Sequence, residues 1–207
     1  MSKILISGCG ITFPGERPTW VSVFKLCKLD IVDLSGPAIS NYLILNQLLL
    51  DLKRNSYTHV VCQLTGYGKL DVQVNDYNRE LVEQDTLRNF TYRGYWPSSK
   101  SQEHVAKQYY YKYLYSPDLE RQDIELKLDH LKMICKQNNT KLYVIQGYDI
   151  GLDSYNIYND YKNDPTYVYH DASNNNTVPC RQFQVKLADK INREFLELDL
   201  PLEKFHE

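Results

Sequence analysis

The sequence predicts an α/β fold, a sandwich around a mainly parallel sheet. Three observations predict it. Four short apolar runs have strand character, at Ile4-Leu5-Ile6, Leu29–Leu34, His59–Leu64 and Lys141–Gln146. Segments with helical apolar spacing separate them. The runs end in small or turn-forming residues, as strands do when they feed loops at one edge of a sheet. Alternating strands and helices indicate a parallel sheet covered by helices.

The first run leads directly into Ser7-Gly8-Cys9-Gly10, a tight turn. Pro14, Gly15 and Pro18 mark an irregular loop after it. Trp20, Val23, Phe24 and Cys27 then mark a short helix, and Leu29–Leu34 is the second strand, broken by Ser35-Gly36-Pro37. Ser40-Asn41 opens an amphipathic helix carrying Leu45, Leu48, Leu49 and Leu52. The third strand, His59–Leu64, ends at Thr65-Gly66. Residues 66–101 read as a lid-like excursion over the carboxyl edge of the sheet. Within it Asp71–Asn75 alternates weakly, and Arg93–Ser99 reads as an aromatic loop. Helix resumes from Gln102 through the tyrosine cluster. A further helix starts at Ser116-Pro117, a capping hydroxyl followed by proline, and buries Ile124, Leu128, Leu131 and Cys135. Gly147-Tyr148-Asp149 follows the fourth strand as a turn. Tyr167-Val168-Tyr169 reads as a short edge strand and His170–Asn176 as a loop. Cys180–Leu196 is the last helix, and 197–207 is a loosely attached tail. Residues 1–196 thus form one domain.

Composition bounds the function. The 207 residues carry 24 Lys and Arg against 26 Asp and Glu, so no global field draws in nucleic acid. No apolar run approaches the roughly 18 residues that a membrane span needs. The amino terminus has no signal-peptide pattern, and five scattered cysteines are neither a disulfide framework nor a metal set. Together these features point to a cytoplasmic protein with no metal and no cofactor. The 18 tyrosines suit sugar or protein surfaces, although compositional drift also yields such a count.

The order of these features resembles the SGNH (GDSL-type) hydrolase superfamily, most closely the branch common in phage genomes, whose first turn reads SGCSFTxG. The matching segment is Ser7–Gly15; Gly36 followed by Ser40-Asn41 matches the second family block, and Val60–Gly66 the third. The family's Asp-x-x-His block falls near Asp171. The resemblance implies a flavodoxin-like, three-layer α/β/α sandwich, a serine nucleophile, a histidine base oriented by aspartate, and an oxyanion site made from turn amides. The chain departs from that pattern where the chemistry resides. Gly10 stands at the nucleophile position, Asn174 stands three residues after Asp171, and Thr65-Gly66 stand where an asparagine is expected. What remains is a cradle of Gly8, Gly10, Gly36, Asn41, Thr65 and Gly66 as ligand-binding residues.

Two readings follow. In the first, the domain has lost serine esterase activity and binds a glycan or a protein partner, as a virion or accessory component in a phage setting. In the second, it hydrolyses ester or acetyl groups through a rearranged site built from Cys9, Ser7, His170 and Asp171. Each residue also has a plain structural reading: Cys9 as a packed thiol, Ser7 as part of the strand end, and His170 as a loop histidine. His59, His104 and His130 lack metal spacing. The acidic stretch Asp149–Asp164 lacks the ligand order of a calcium loop, and Gly66-Tyr67-Gly68-Lys69 lacks the remaining spacing of a phosphate loop. Tyr92, Tyr95 and Trp96 serve either as stacking platforms or as packing within the lid.

Overall fold

The computed structural model describes residues 2–9, 19–36, 39–73, 92–95, 110–157, 159, 168–171, 176–179 and 181–205. Its centre is strand β1 (Lys3–Ser7), whose Ile4, Leu5 and Ile6 are fully buried. A continuous apolar run is what a parallel strand needs when both of its faces are covered. β1 pairs in parallel with β2 (Asp30–Asp33) on one side and with β3 (His59–Leu64) on the other. β3 pairs in parallel with β6 (Lys141–Gln146), which pairs with the two-residue β7 (Tyr155–Asn156). The sheet order is therefore β2-β1-β3-β6-β7, all parallel. The chain is an α/β protein, as the sequence predicts.

Alternate strand residues feed two separate apolar clusters. Ile4, Ile6, Val61 and Ile145 pack with helix α1 (Trp20–Leu26) and helix α4 (Arg181–Ile191). Leu5, Val60, Cys62 and Leu64 pack with helix α2 (Asn41–Leu52) and helix α3 (Pro117–Gln137). The helix starts follow local chemistry. Ser40 Oγ accepts the Leu43 N–H at 3.3 Å, and Ser116 Oγ accepts the Leu119 N–H at 3.4 Å, with Pro117 in the first turn. At the start of α1 the Thr19 N–H donates to Ser22 Oγ at 3.2 Å, and the Trp20 N–H donates to Gln184 Oε1 of α4 at 3.1 Å. α3 has the helical spacing read from its sequence, burying Ile124, Leu128, Leu131 and Cys135.

Several sequence expectations are corrected. Arg93, Gly94 and Tyr95, read as the start of a loop, belong to strand β5 (Tyr92–Tyr95), which pairs antiparallel with β4 (Leu70–Gln73). The rest of the expected lid, 74–91 and 96–101, and the helix expected over 102–109 lie outside the described residues; Tyr110–Leu114 is a single π-helical turn. His170 and Asp171, read as loop, belong to strand β8 (Val168–Asp171), which pairs with β9 (Asn176–Pro179). α4 ends at Ile191 and gives way to a π-helical turn, Asn192–Leu196. The following segment is not loose. The Asn192 amide donates to Leu198 O at 2.8 Å while its oxygen accepts the Leu198 N–H at 3.2 Å. Leu202 is buried, and Leu198, Leu200 and Phe205 pack on the α1–α4 cluster.

At the amino edge of the sheet, His59 lies against Phe195 edge-on, with ring centroids 5.4 Å apart. Its Nδ1 sits 2.9 Å from Thr58 Oγ1, and that hydroxyl donates to Lys3 O at 3.0 Å. Thr58 Oγ1 is thus the acceptor for an Nδ1–H, and Nε2 is left buried with no partner. Burial first, then the neighbouring Lys141, holds the imidazole below its ordinary pKa, opposed by Glu197. In the unfolded chain His59 takes up a proton near pH 6.5, and the folded protein resists it. Stability is therefore full above that pH and falls as the pH drops toward the lowered folded value. Denaturant titrations between pH 7.5 and pH 5 are expected to show a shallower acid loss in His59→Leu than in the wild type, because the carboxylate contribution is common to both.

Candidate active-site crevice at the β1–β3 switch point

The chain leaves β1 toward β2 on one side and returns to β3 on the other, so the connections diverge at the carboxyl ends of β1 and β3. Open α/β sheets place ligands in the crevice at such a switch point. The first turn, singled out from the sequence, borders this crevice. Ser7 ends β1 opposite Cys62 of β3, and Thr65 follows directly on β3.

Asn41, the first residue of α2, is fully buried. Its Nδ2 donates to Thr65 O at 2.9 Å, and its Oδ1 accepts the Thr65 N–H at 2.7 Å. Two bonds of opposite sense hold one backbone unit, and they engage both polar atoms of the side chain. Asn41 is a clamp on the end of β3, not a free ligand group. Gly36 is likewise engaged. Its N–H donates to Gly8 O at 3.0 Å, bridging the turns after β1 and β2. A Cβ at Gly36 would lie 3.1 Å from Ile39 Cγ2, a tight contact that the Ile39 side chain would have to relieve. The expectation that Gly36 presents a free amide to a ligand is corrected, because that amide already has a protein acceptor.

Cys9 is 3% exposed and packs in the α2–α3 cluster with Ile39, Leu43 and Leu64. The Gln63 amide approaches its sulfur at 3.8 Å. A buried thiol among aliphatic side chains behaves as a small hydrophobe, so the geometry sides with the packed-thiol reading over the nucleophile. Cys62 and Cys135 share that core, where burial raises both thiols, Cys135 to about 11. Ser7 and Thr65 are fully buried, and neither hydroxyl has a hydrogen-bond partner. Gly66 is buried. Gly10 and Asn174 lie outside the described residues. His170 and Asp171 occupy consecutive positions of the β8–β9 ladder, opposite Thr177 and Asn176.

The sequence reading missed two glutamines that organise this edge. Gln63 Nε2 donates to Leu64 O at 2.8 Å and occupies the space where Gly147 would carry a side chain, 2.4 Å from an ideal Cβ. Gln146 makes four bonds to the loop that follows it. Its oxygen accepts the N–H groups of Ile150 and Leu152 at 3.2 and 3.3 Å, and its amide donates to Leu152 O and Ser154 O at 2.8 and 3.0 Å. The signal was present: each residue is a polar intrusion at the carboxyl end of an apolar strand. Beyond Thr65, Tyr67 donates to Ile150 O at 2.7 Å, and the Gly68 N–H donates to Glu120 Oε2 at 2.7 Å. Lys69, considered for a phosphate loop, is 6% exposed with its ammonium 3.4 Å from Ile39 O.

His59 lies at the opposite, amino end of β3, and His130 is exposed on α3. His104 lies outside the described residues. Among the described residues no group of three His, Cys, Asp or Glu side chains is gathered as metal ligands would be, and no helix is long and apolar enough to cross a membrane. Comparison with protein-family models finds no match for this chain, and comparison with curated proteins finds none either.

Two substitutions test this geometry. Asn41→Ala strands a buried N–H and a buried carbonyl and is expected to cost about 2–4 kcal/mol in denaturant unfolding. Gly147→Ala drives a methyl into Gln63 and is expected to cost about 1–3 kcal/mol. Combined with Gln63→Ala, the Gly147→Ala change should cost less than it does alone, which a double-mutant cycle reads directly.

Proposed function

We propose that this chain is an SGNH-hydrolase-like domain that binds a ligand, a glycan or a protein surface, without ordinary serine esterase chemistry. The observation that carries this reading is the state of Cys9. It is the nucleophile-type side chain adjacent to Gly10, and it is packed inside the α2–α3 core. Gly10 itself offers a backbone N–H and no attacking atom. The sheet order supports the resemblance, since its switch point lies where the family's first and third blocks fall. The two helix-bearing clusters on alternate strand residues support a three-layer sandwich. The tyrosine-rich composition fits glycan or protein contact. A phage virion or accessory role, and a cytoplasmic site of synthesis, belong to the same reading.

One observation favours the hydrolase alternative. The Ser7 hydroxyl is free of internal hydrogen bonds at the carboxyl end of β1, where a base brought within reach would activate it. Turnover of p-nitrophenyl acetate separates the two. The binding reading expects no turnover above background in the wild type, and gain of esterase activity when Gly10→Ser is combined with Asn174→His. Wild-type turnover that disappears in Ser7→Ala or Cys9→Ala overturns it.

A further inference from the structure

The layer formed by α2 and α3 carries an apolar surface that the crevice does not use. Leu119, Leu126 and Met133 are 64%, 71% and 51% exposed, and they recur every seven residues along α3. At 3.6 residues per turn this spacing keeps them within about 20° of one line. The residues that α3 buries, Ile124, Leu128, Leu131 and Cys135, lie on the opposite side of the helix. Tyr42 and Leu50 of α2 are also more than half exposed, and they line with Leu119 a groove of about 900 Å³ between the two helices. Exposed large apolar side chains repeated along one line of a helix mark an interaction surface.

The charges of α3 identify the partner. Its first half, Pro117–Leu126, holds Asp118, Glu120, Asp123 and Glu125 against Arg121. Its second half, Lys127–Gln137, holds Lys127, Lys132, Lys136 and His130 against Asp129. Such a helix is complementary to itself run backwards. We propose that this face binds a second copy of the chain, with the two α3 helices antiparallel about a two-fold axis at Leu126. The axis sets Leu126 against Leu126 of the second copy, and Leu119 against its Met133. On helical spacing, Asp118 then faces Lys136 of the copy, Asp123 faces its His130, and Gln122 faces its Asp129 as an amide donor. Within one helix Asp123 pairs with Lys127, whose side chain is largely covered, and Asp129 pairs with Lys132 at the solvent rim, where such pairs are weak and adjust readily. A parallel pairing would oppose acidic half to acidic half. An isologous contact of this kind closes at two copies and leaves the switch-point crevice of each open.

Sedimentation velocity on the full chain tests the proposal. The wild type is expected to show concentration-dependent dimerisation. Leu126→Glu is expected to raise the dissociation constant at least tenfold with an unchanged circular dichroism spectrum, since the side chain is exposed in the monomer. Asp118→Lys and Lys136→Glu should each weaken the dimer, and together restore it. A cysteine test does not depend on any of these variants. Leu126→Cys is expected to cross-link to itself on oxidation, whereas Leu119→Cys cross-links only to Met133→Cys, as mapped by mass spectrometry. A monomer at every concentration, or a dimer indifferent to Leu126→Glu, overturns the proposal. Self-linking of Leu119→Cys overturns the antiparallel arrangement.

Discussion

The clamp between Asn41 and Thr65 is the contact on which the carboxyl edge of this fold depends. β3 must stop where it does, and α2 must start where it does, for the crevice between β1 and β3 to have a fixed wall. A single amide side chain settles both, because it donates to the carbonyl and accepts from the N–H of one residue. In a buried setting those two backbone groups would otherwise go unpaired. The bridge from the Gly36 N–H to Gly8 O supplies the other wall by the same logic, joining the turns after β2 and β1. Gln63, Gln146 and Tyr67 continue the pattern along the edge. The ends of β3 and β6 are thus braced by side-chain amides as well as by backbone bonds.

That pattern explains how much of the molecule was legible in its sequence. The central strands were readable because Ile4-Leu5-Ile6 and Val60-Val61-Cys62 are covered on both faces, and only a continuous apolar run satisfies that environment. Ser40 and Ser116 announced their helices because capping is a local reaction of a hydroxyl with the first turn. β7 was not readable. Tyr155-Asn156 has no strand pattern, and its place on the sheet follows the loop that Gln146 organises through four hydrogen bonds from the preceding strand. The packed carboxyl-terminal segment was missed for a related reason. The Asn192 side chain fixes Leu198 by two bonds, and no periodic signal records a contact between a helix end and the turn beyond it.

The site was partly legible, in position more than in role. Gly8 of the turn after β1 bonds Gly36, and Asn41 bonds Thr65 at the end of β3. But Asn41 and Gly36, read as ligand groups, spend their polar capacity inside the protein. A sequence motif records which residue types recur at a turn, and a buried amide that braces a turn recurs for the same positional reason as one that touches a ligand. Burial and the direction of each hydrogen bond separate the two, and neither is written in the spacing of residues.

The distribution of polar capacity also bears on where recognition takes place. At the carboxyl edge Asn41 pairs with the backbone of Thr65 and the Gly36 N–H with Gly8 O, while the Ser7 and Thr65 hydroxyls are among the buried groups without partners. A buried hydroxyl without a partner is costly, so it is informative where it occurs twice on adjacent strand ends. Both groups are fully buried, beside the turn that the clamp holds. The α2–α3 layer is the physical opposite, with wide exposure, aliphatic side chains and charges sorted along the helix. A surface of that kind suits recognition by area and register and tolerates small shifts. The two surfaces meet at α2, whose first residue clamps the crevice and whose outward residues Tyr42 and Leu50 lie on the apolar layer. Any movement of α2 along its axis would therefore shift the wall of the crevice and the apolar face together. Because Asn41 ties that helix to the end of β3 by two bonds, the rigidity of one surface is the rigidity of the other.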